Sequence, residues 1–381
     1  MKRLGWILVV ISLLIGLLPF AAQAANLEVE AKSALLMDVA TGTILYEQNS
    51  HEPLAPASVT KVMTMLLIME AIDSGKISWS DAVTTSEAAS AKGGSQVYLK
   101  VGESMSVEDM VKSIAVSSAN DCACAMAEHL AGSEAAFVEN MNARAKELGM
   151  DDTHFVNCTG LDDAPDAADH KTSAHDIALM SRELLKNHPD ITKFTTIWMD
   201  TIRNGEFGLS NTNKMVRFYS GCTGLKTGFT RGAGYCLSAS AEREGLQLIA
   251  VVMGCETSQK RFAACKSMLD YGFANFALIE PVCPEVSAVP VKLGISDAVN
   301  AVPAKDGKML IDKGQKASVT TEVQLDAEVT APVSKGQRLG TMTVKAGEQI
   351  LAEIPMVAES GVEKITWWQM YLRLLKKVCM K

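Results

Sequence analysis

Several signatures are missing from this 381-residue chain, and each absence removes a class of function. Basic charge is not in excess: 36 Lys and Arg stand against 44 Asp and Glu, for a net charge of -8, so a protein built to neutralise phosphates, and hence a nucleic-acid partner, is excluded. No His-Glu-x-x-His or equivalent metal spacing occurs. The acidic and imidazole residues that crowd one stretch, Asp162, Asp163, Asp166, Asp169, His170, His175 and Asp176, read as caps and solvated charge before a helix. No metal and no cofactor is expected. The nine cysteines lack both the paired spacing of a zinc site and the density of a disulfide scaffold, so most read as small buried hydrophobes.

What is present begins with the three parts of an export signal over residues 1–24: Lys2 and Arg3, an apolar run from Leu4 to about Phe20, and the small-residue site Ala22-Gln23-Ala24. The competing reading is a transmembrane anchor, because the run approaches the roughly 20 residues that a span requires. The Ala-x-Ala site favours cleavage before Ala25, and no cysteine follows it to carry a lipid. Loss of Lys2 and Arg3 leaves a 357-residue chain of net charge -10, long enough for a full core and two domains.

Ser33 to Asp38 and Thr43 to Glu47 read as a hairpin around Val39-Ala40-Thr41-Gly42. Pro53 and Pro56 then hold off helix until just before Ser58, which places Ser58 at a helix N-terminus, where free N–H groups favour developing negative charge. Ser58 and Lys61 are three residues apart and share a helical face, and Val62 to Ile68 is apolar on nearly every face, so the helix is expected inside a domain. A lysine buried there must find partners or lose its proton. Asp73 to Gly94 reads as loop with short helical pieces. Ser106 to Val116 and Asp121 to Ala131 read as helices that meet at Ser118 and Asn120, and Glu134 to Leu148 as a third. Tyr235 to Ala241 and Leu246 to Met253 form a second predicted hairpin, with Lys226-Thr227-Gly228 just before or beside its first strand. Arg261 begins a helix that runs to about Phe276.

Ser58-x-x-Lys61, Ser118-x-Asn120 and Lys226-Thr227-Gly228 are each weak alone, but they fall in one order, 60 and 108 residues apart. On these motifs the chain resembles the low-molecular-mass penicillin-binding proteins that are D-alanyl-D-alanine carboxypeptidases. Gly94-Ser95, Asn157 with Gly160-Leu161, Asn211-Thr212-Asn213 and Gly224-Leu225 extend the likeness over nearly the whole mature chain, and Trp198 to Phe218 looks most like the sporulation-associated members. The resemblance implies an α/β (α+β) serine β-lactamase/DD-peptidase fold, an antiparallel sheet flanked by helices over residues 25–280. It implies Ser58 as acyl-ester nucleophile, Lys61 as general base, Ser118 as proton relay, Asn120 holding Lys61 and the substrate amide, and Lys226 as the second cation. Thr227, Gly228, the backbone amides of Ser58 and Phe229, and Arg261 are then the expected substrate-binding groups, with the amides forming the oxyanion site. Peptidoglycan stem peptides are the implied substrate and β-lactams the implied inhibitors. A class A β-lactamase is disfavoured because Glu183-Leu184-Leu185-Lys186-Asn187 does not match its catalytic-glutamate loop and Ala119 stands where those enzymes carry aspartate. A DD-endopeptidase uses the same three motifs, and a non-catalytic scaffold is disfavoured by all three being intact.

Glu280 to Pro284 reads as a linker. Residues 285–358 form β-branched strands broken by turns such as Lys305-Asp306-Gly307 and Lys345-Ala346-Gly347, and so a small all-β domain is expected there. Residues 362–381 carry a net charge of +4 and place Ile365, Trp368, Tyr371, Leu372, Leu375 and Val378 on one helical face. This is the pattern of a helix lying in an anionic membrane surface, which would put the protein on the outer face of the cytoplasmic membrane.

Overall fold

The structure, a computed structural model, describes residues 27–162, 166–304 and 307–379, with side chains as far as residue 375. The predicted export signal, Asp163 and the Lys305-Asp306 part of the predicted turn lie outside the described residues. A five-stranded sheet is built from β1 (Ser33–Asp38), β2 (Ile44–Gln48), β3 (Cys222–Thr230), β4 (Gly234–Arg243) and β5 (Leu246–Cys255). Its order is β2-β1-β5-β4-β3 and every pairing is antiparallel. The longer helices are α1 (Lys61–Asp73), α2 (Val107–Ser117), α3 (Asn120–Ala131), α4 (Glu134–Glu147), α5 (Ala174–Asn187), α6 (Ser258–Asn275) and α7 (Trp367–Cys379).

Strand β5 reads as a continuous apolar run because both of its faces are covered. Ile249, Val251 and Met253 enter one core together with α1, α2 and α3, while Leu248, Ala250 and Val252 enter a second core under α6. Gly272 of α6 allows the close approach, since a Cβ there would stand 2.4 Å from Leu248 Cδ1. Helix α1 is buried as its all-round apolar sequence requires, with Val62, Met63, Met65, Leu66, Ile68 and Met69 all fully enclosed. Of the cysteines with described side chains, Cys122, Cys124, Cys158, Cys236, Cys255 and Cys265 are buried free thiols, and burial raises the pKa of each.

Two elements differ from expectation. Lys226 to Gly228 does lie beside the first strand of the hairpin, but within a full nine-residue edge strand, β3; two glycines in Cys222–Thr230 weaken its strand signal, and the ladder to β4 supplies the order instead. The stretch from Asp73 to Gly94 contains a short strand, Ala82–Thr84, paired with Ser104–Ser106.

Beyond α6 the chain pairs Phe276–Ile279 with Met309–Asp312, and between them residues 280–288 have no regular structure. The strands β6 (Val289–Lys292), β7 (Ala301–Pro303), β8 (Val319–Leu325), β9 (Arg338–Ala346) and β10 (Gln349–Ala358) follow. The last four form a sheet in the order β7-β10-β9-β8. This region has apolar clusters of its own, one around Val289, Val291 and Leu339 and one around Met342, Val344, Ile354 and Met356.

Candidate active site

Ser58 sits in a 3-10 turn, Ala57–Thr60, that runs directly into α1, so the serine and the first helical residue, Lys61, face each other across the junction. Lys61 Nζ lies 3.0 Å from Ser58 Oγ and donates to the Thr159 carbonyl at 2.8 Å. Lys61 is fully buried, and loss of hydration is the largest influence on its amine; the Cys158 thiol and the Asp121 carboxylate oppose it, and the balance brings the pKa down to about 7. Lys226, 1% exposed, is driven well below the ordinary lysine range by burial first and then by repulsion from Lys61 and Arg261. Burial, more than a second cation, is therefore what frees the Lys61 amine. A neutral amine at this distance can take the proton of a serine hydroxyl.

The turn is enclosed by three close approaches. A Cβ on Gly160 would lie 1.9 Å from the Ala57 carbonyl oxygen, and one on Gly228 would lie 2.6 Å from that of Pro56, so only glycine lets the 157–161 loop and β3 reach the turn. Asn157 shapes that loop by accepting from the amides of Thr159 and Gly160 and donating to Leu161. Beneath Ala57, Thr60 Oγ1 donates to the Ala57 carbonyl at 2.9 Å and lies 2.7 Å from His170 Nε2.

Ser118 and Asn120 sit on the α2–α3 junction, where Ser118 adopts φ +62° as the residue that ends α2. Ser118 Oγ and Asn120 Oδ1 are buried without a protein partner among the described residues. Asn120 Nδ2 donates to the Gly93 carbonyl, and Gly94 packs against it with Leu161 on the other side. Lys61 Nζ donates to the Thr159 carbonyl and not to Asn120, whose Oδ1, the atom that could accept from it, has no partner among the described residues. Thr212 joins the junction to the sheet: its N–H donates to Val116, and its hydroxyl accepts from Thr227 Oγ1 at 2.7 Å. Arg261 is buried beneath β3, where Nη1 donates to the carbonyls of Gly228 and Cys236 and the guanidinium lies over the rings of Tyr235 and Phe262. The half-exposed Phe229 ring stacks on Tyr235. Ser58, Lys61 and Lys226 to Phe229 thus converge on one turn, Asn120 reaches it through Gly94 and the 157–161 loop, and Arg261 supports it from behind the sheet. Thr159, Thr212 and His170 were given no role at the site from sequence: Thr159 acts through a backbone carbonyl, Thr212 was read only as part of Asn211-Thr212-Asn213, and His170 was read with its acidic neighbours as cap or solvated charge.

The sequence profile of the D-alanyl-D-alanine carboxypeptidase family matches residues 20–257. The chain belongs to this family. The profile of the C-terminal domain of penicillin-binding protein 5 matches residues 284–364. Among curated relatives, the D-alanyl-D-alanine carboxypeptidase DacF of Bacillus subtilis is 44% identical, over 96% of this chain and 95% of its own. Among solved structures, penicillin-binding protein 5 from Haemophilus influenzae superposes with a TM-score of 0.76 at 31% identity, covering 88% of this chain and 98% of its own. Penicillin-binding protein D2 from Listeria monocytogenes, solved with ampicillin bound, gives 0.59 at 34% identity, over 65% of this chain and 99% of its own. The mixed α/β fold with an antiparallel sheet and a C-terminal all-β region is the fold of these relatives.

Proposed function

We propose that this protein is a serine D-Ala-D-Ala carboxypeptidase that removes the terminal D-alanine from peptidoglycan pentapeptide stems and is acylated by penicillin. The observation that carries the reading is Ser58 Oγ 3.0 Å from a buried lysine amine whose pKa is about 7. Lys61 takes the Ser58 proton as the oxygen attacks the carbonyl of the penultimate residue. The oxyanion is received by the backbone N–H groups of Ser58 and Phe229; losing one such donor typically lowers the rate about a hundred- to a thousandfold. Collapse expels D-alanine, whose nitrogen gains a proton through Ser118, and water then cleaves the Ser58 ester. Strand β3 ends the sheet, and beyond the Thr223 and Gly224 carbonyls, which accept from Thr195 and Asn213, its edge can pair with an extended peptide; Asn120 Oδ1, without a partner among the described residues, can accept from the substrate amide. Thr227 reads the terminal carboxylate through its hydroxyl and Arg261 through its charge from behind β3, and a carboxylate arriving near Lys226 would restore that amine's charge.

The competing β-lactamase chemistry needs a free glutamate to activate water. Glu183, the residue in the stretch considered for that role, is ion-paired to Arg144 at 2.7 Å and accepts from Asn187. Export before Ala25 and peripheral attachment through residues 362–381 complete the reading, with division at the Glu280–Pro284 linker into a catalytic and a β-rich domain. Identity of 44% to DacF goes with the resemblance of Trp198 to Phe218 to the sporulation-associated subgroup.

Incubation with fluorescent penicillin should label the wild type and leave Ser58→Ala dark; equal labelling would refute the nucleophile assignment. Measuring D-alanine released from a pentapeptide ending in D-Ala-D-Ala then separates a carboxypeptidase from an endopeptidase or a lactamase, neither of which releases it.

A further inference from the structure

His170 is a buried imidazole that the proposed chemistry does not use, and its hydrogen bonds fix its tautomer. The Val156 N–H donates to Nδ1 at 3.1 Å, so Nδ1 carries no proton and Nε2 must. Nε2 therefore donates to Thr60 Oγ1 at 2.7 Å, and the Thr60 hydroxyl spends its own proton on the Ala57 carbonyl at 2.9 Å. The result is a one-way chain of donors that starts at a backbone amide and ends on a backbone oxygen. A charged imidazole would have no acceptor for the Val156 N–H. Burial first, with His154 and Lys61 nearby and only Asp166 opposing, brings the His170 pKa down to about 4, so the chain is intact at neutral pH.

The last acceptor gives the chain its consequence. The Ala57–Ser58 peptide is trans, so the Ala57 C=O and the Ser58 N–H belong to one rigid plane and point in opposite directions. Fixing the carbonyl fixes the aim of that N–H, and a donor on the carbonyl also strengthens the N–H as a donor in turn. Ala57 itself is held at φ +48°, where a residue with a Cβ is disfavoured by about 1–2 kcal/mol, so this plane does not set its own direction at minimum energy. Gly160 packs against the same oxygen and the Thr60 hydroxyl, since a Cβ there would stand 1.9 Å from the one and 2.7 Å from the other. We infer that His170 and Thr60 are positioning residues that aim and polarise the Ser58 N–H for the oxyanion through the Ala57 carbonyl. This rests on the proposed acylation at Ser58 and adds to it the part of the fold that orients one oxyanion donor.

The inference is tested with penicillin acylation kinetics, reading the rate constant at saturation separately from the half-saturating concentration, per folded molecule. Thr60→Val keeps the volume and deletes the chain. Because an oxyanion donor acts in the transition state, the saturating rate should fall about ten- to a hundredfold while half-saturation stays within about twofold. Thr60→Ser, which keeps the hydroxyl, should restore the rate to within about threefold. One link further out, His170→Leu should reproduce the loss, and His170→Gln should recover most of it, since an amide can both donate to Thr60 and accept from Val156. This second pair decides the matter if Thr60→Val does not fold. Wild-type saturating rates in both Thr60→Val and His170→Leu, or a loss confined to half-saturation, would overturn the inference. Ser58→Ala run beside them distinguishes the two levels: if it labels normally the nucleophile reading fails, and if it is dark while Thr60→Val is unimpaired only the positioning role fails.

Discussion

Lys61 illustrates how burial alone can turn a cation into a base. An amine brought from about 10.4 to about 7 has lost roughly 5 kcal/mol of preference for its charged form. The sign for stability follows: the folded pKa lies below the unfolded one, so burial of Lys61 weakens the fold most below pH 7 and progressively less as pH rises toward about 10.4. The sign for catalysis is parallel. Only the free amine can accept from Ser58, and it makes up about half the molecules at pH 7 and about 1% at pH 5. Penicillin acylation should therefore level off above pH 7 and fall about tenfold per unit below it; a rate constant that stays flat from pH 5 to pH 9 would remove Lys61 as the base. The serine–lysine pair was legible because three motifs in one order at these spacings are rare. Its second hydrogen bond was not, because the acceptor is the carbonyl of Thr159, a group that every residue carries.

At the scale of elements, the site is a 3-10 turn gripped between an edge strand and a loop, and glycines decide how tightly. Gly132 and Gly160 both require positive φ, +83° and +79°, yet a Cβ meets nothing within 4 Å at Gly132 and stands 1.9 Å from the Ala57 oxygen at Gly160. Gly132→Ala, at the end of α3, should cost only backbone strain of about 1 kcal/mol and lower the melting temperature by a few degrees with labelling intact. Gly160→Ala must displace the turn, so penicillin labelling should drop at least tenfold; wild-type labelling of Gly160→Ala would mean the loop gives way and the turn does not depend on it. Most helices were legible here because their caps and periodicity are local, as where Ser106 caps α2 through its side chain; the start of α6 was missed by three residues, since Thr257 caps a helix that begins at Ser258 and not at Arg261. Strand β3 was not, because its order comes from a partner hairpin rather than from its own glycine-rich residues.

At the scale of the whole molecule, α7 is the element on which the proposed membrane attachment rests. Helix α7 leaves Trp367, Trp368, Tyr371, Leu372, Leu374 and Leu375 exposed, while Arg373 ties it to β6's end through the Gly294 and Ile295 carbonyls and Asp297. A helix docked only to complete its own core would bury those rings; this one leaves them exposed. No helix among the described residues is long and apolar enough to cross a membrane. The amphipathic pattern and its basic charge led the sequence reading to an outward apolar face, although periodicity alone is the same for an inward one. Membrane attachment should accordingly be shallow and partly electrostatic. On vesicles containing anionic lipid the full mature chain should sediment with the membrane, and a chain ending at residue 361 should stay in the supernatant with unchanged penicillin labelling. High salt should weaken the full chain's binding without abolishing it, because the aromatic face contributes independently of charge. A truncated chain that still sediments would place the attachment elsewhere, and one that loses labelling would show that α7 supports the catalytic region as well.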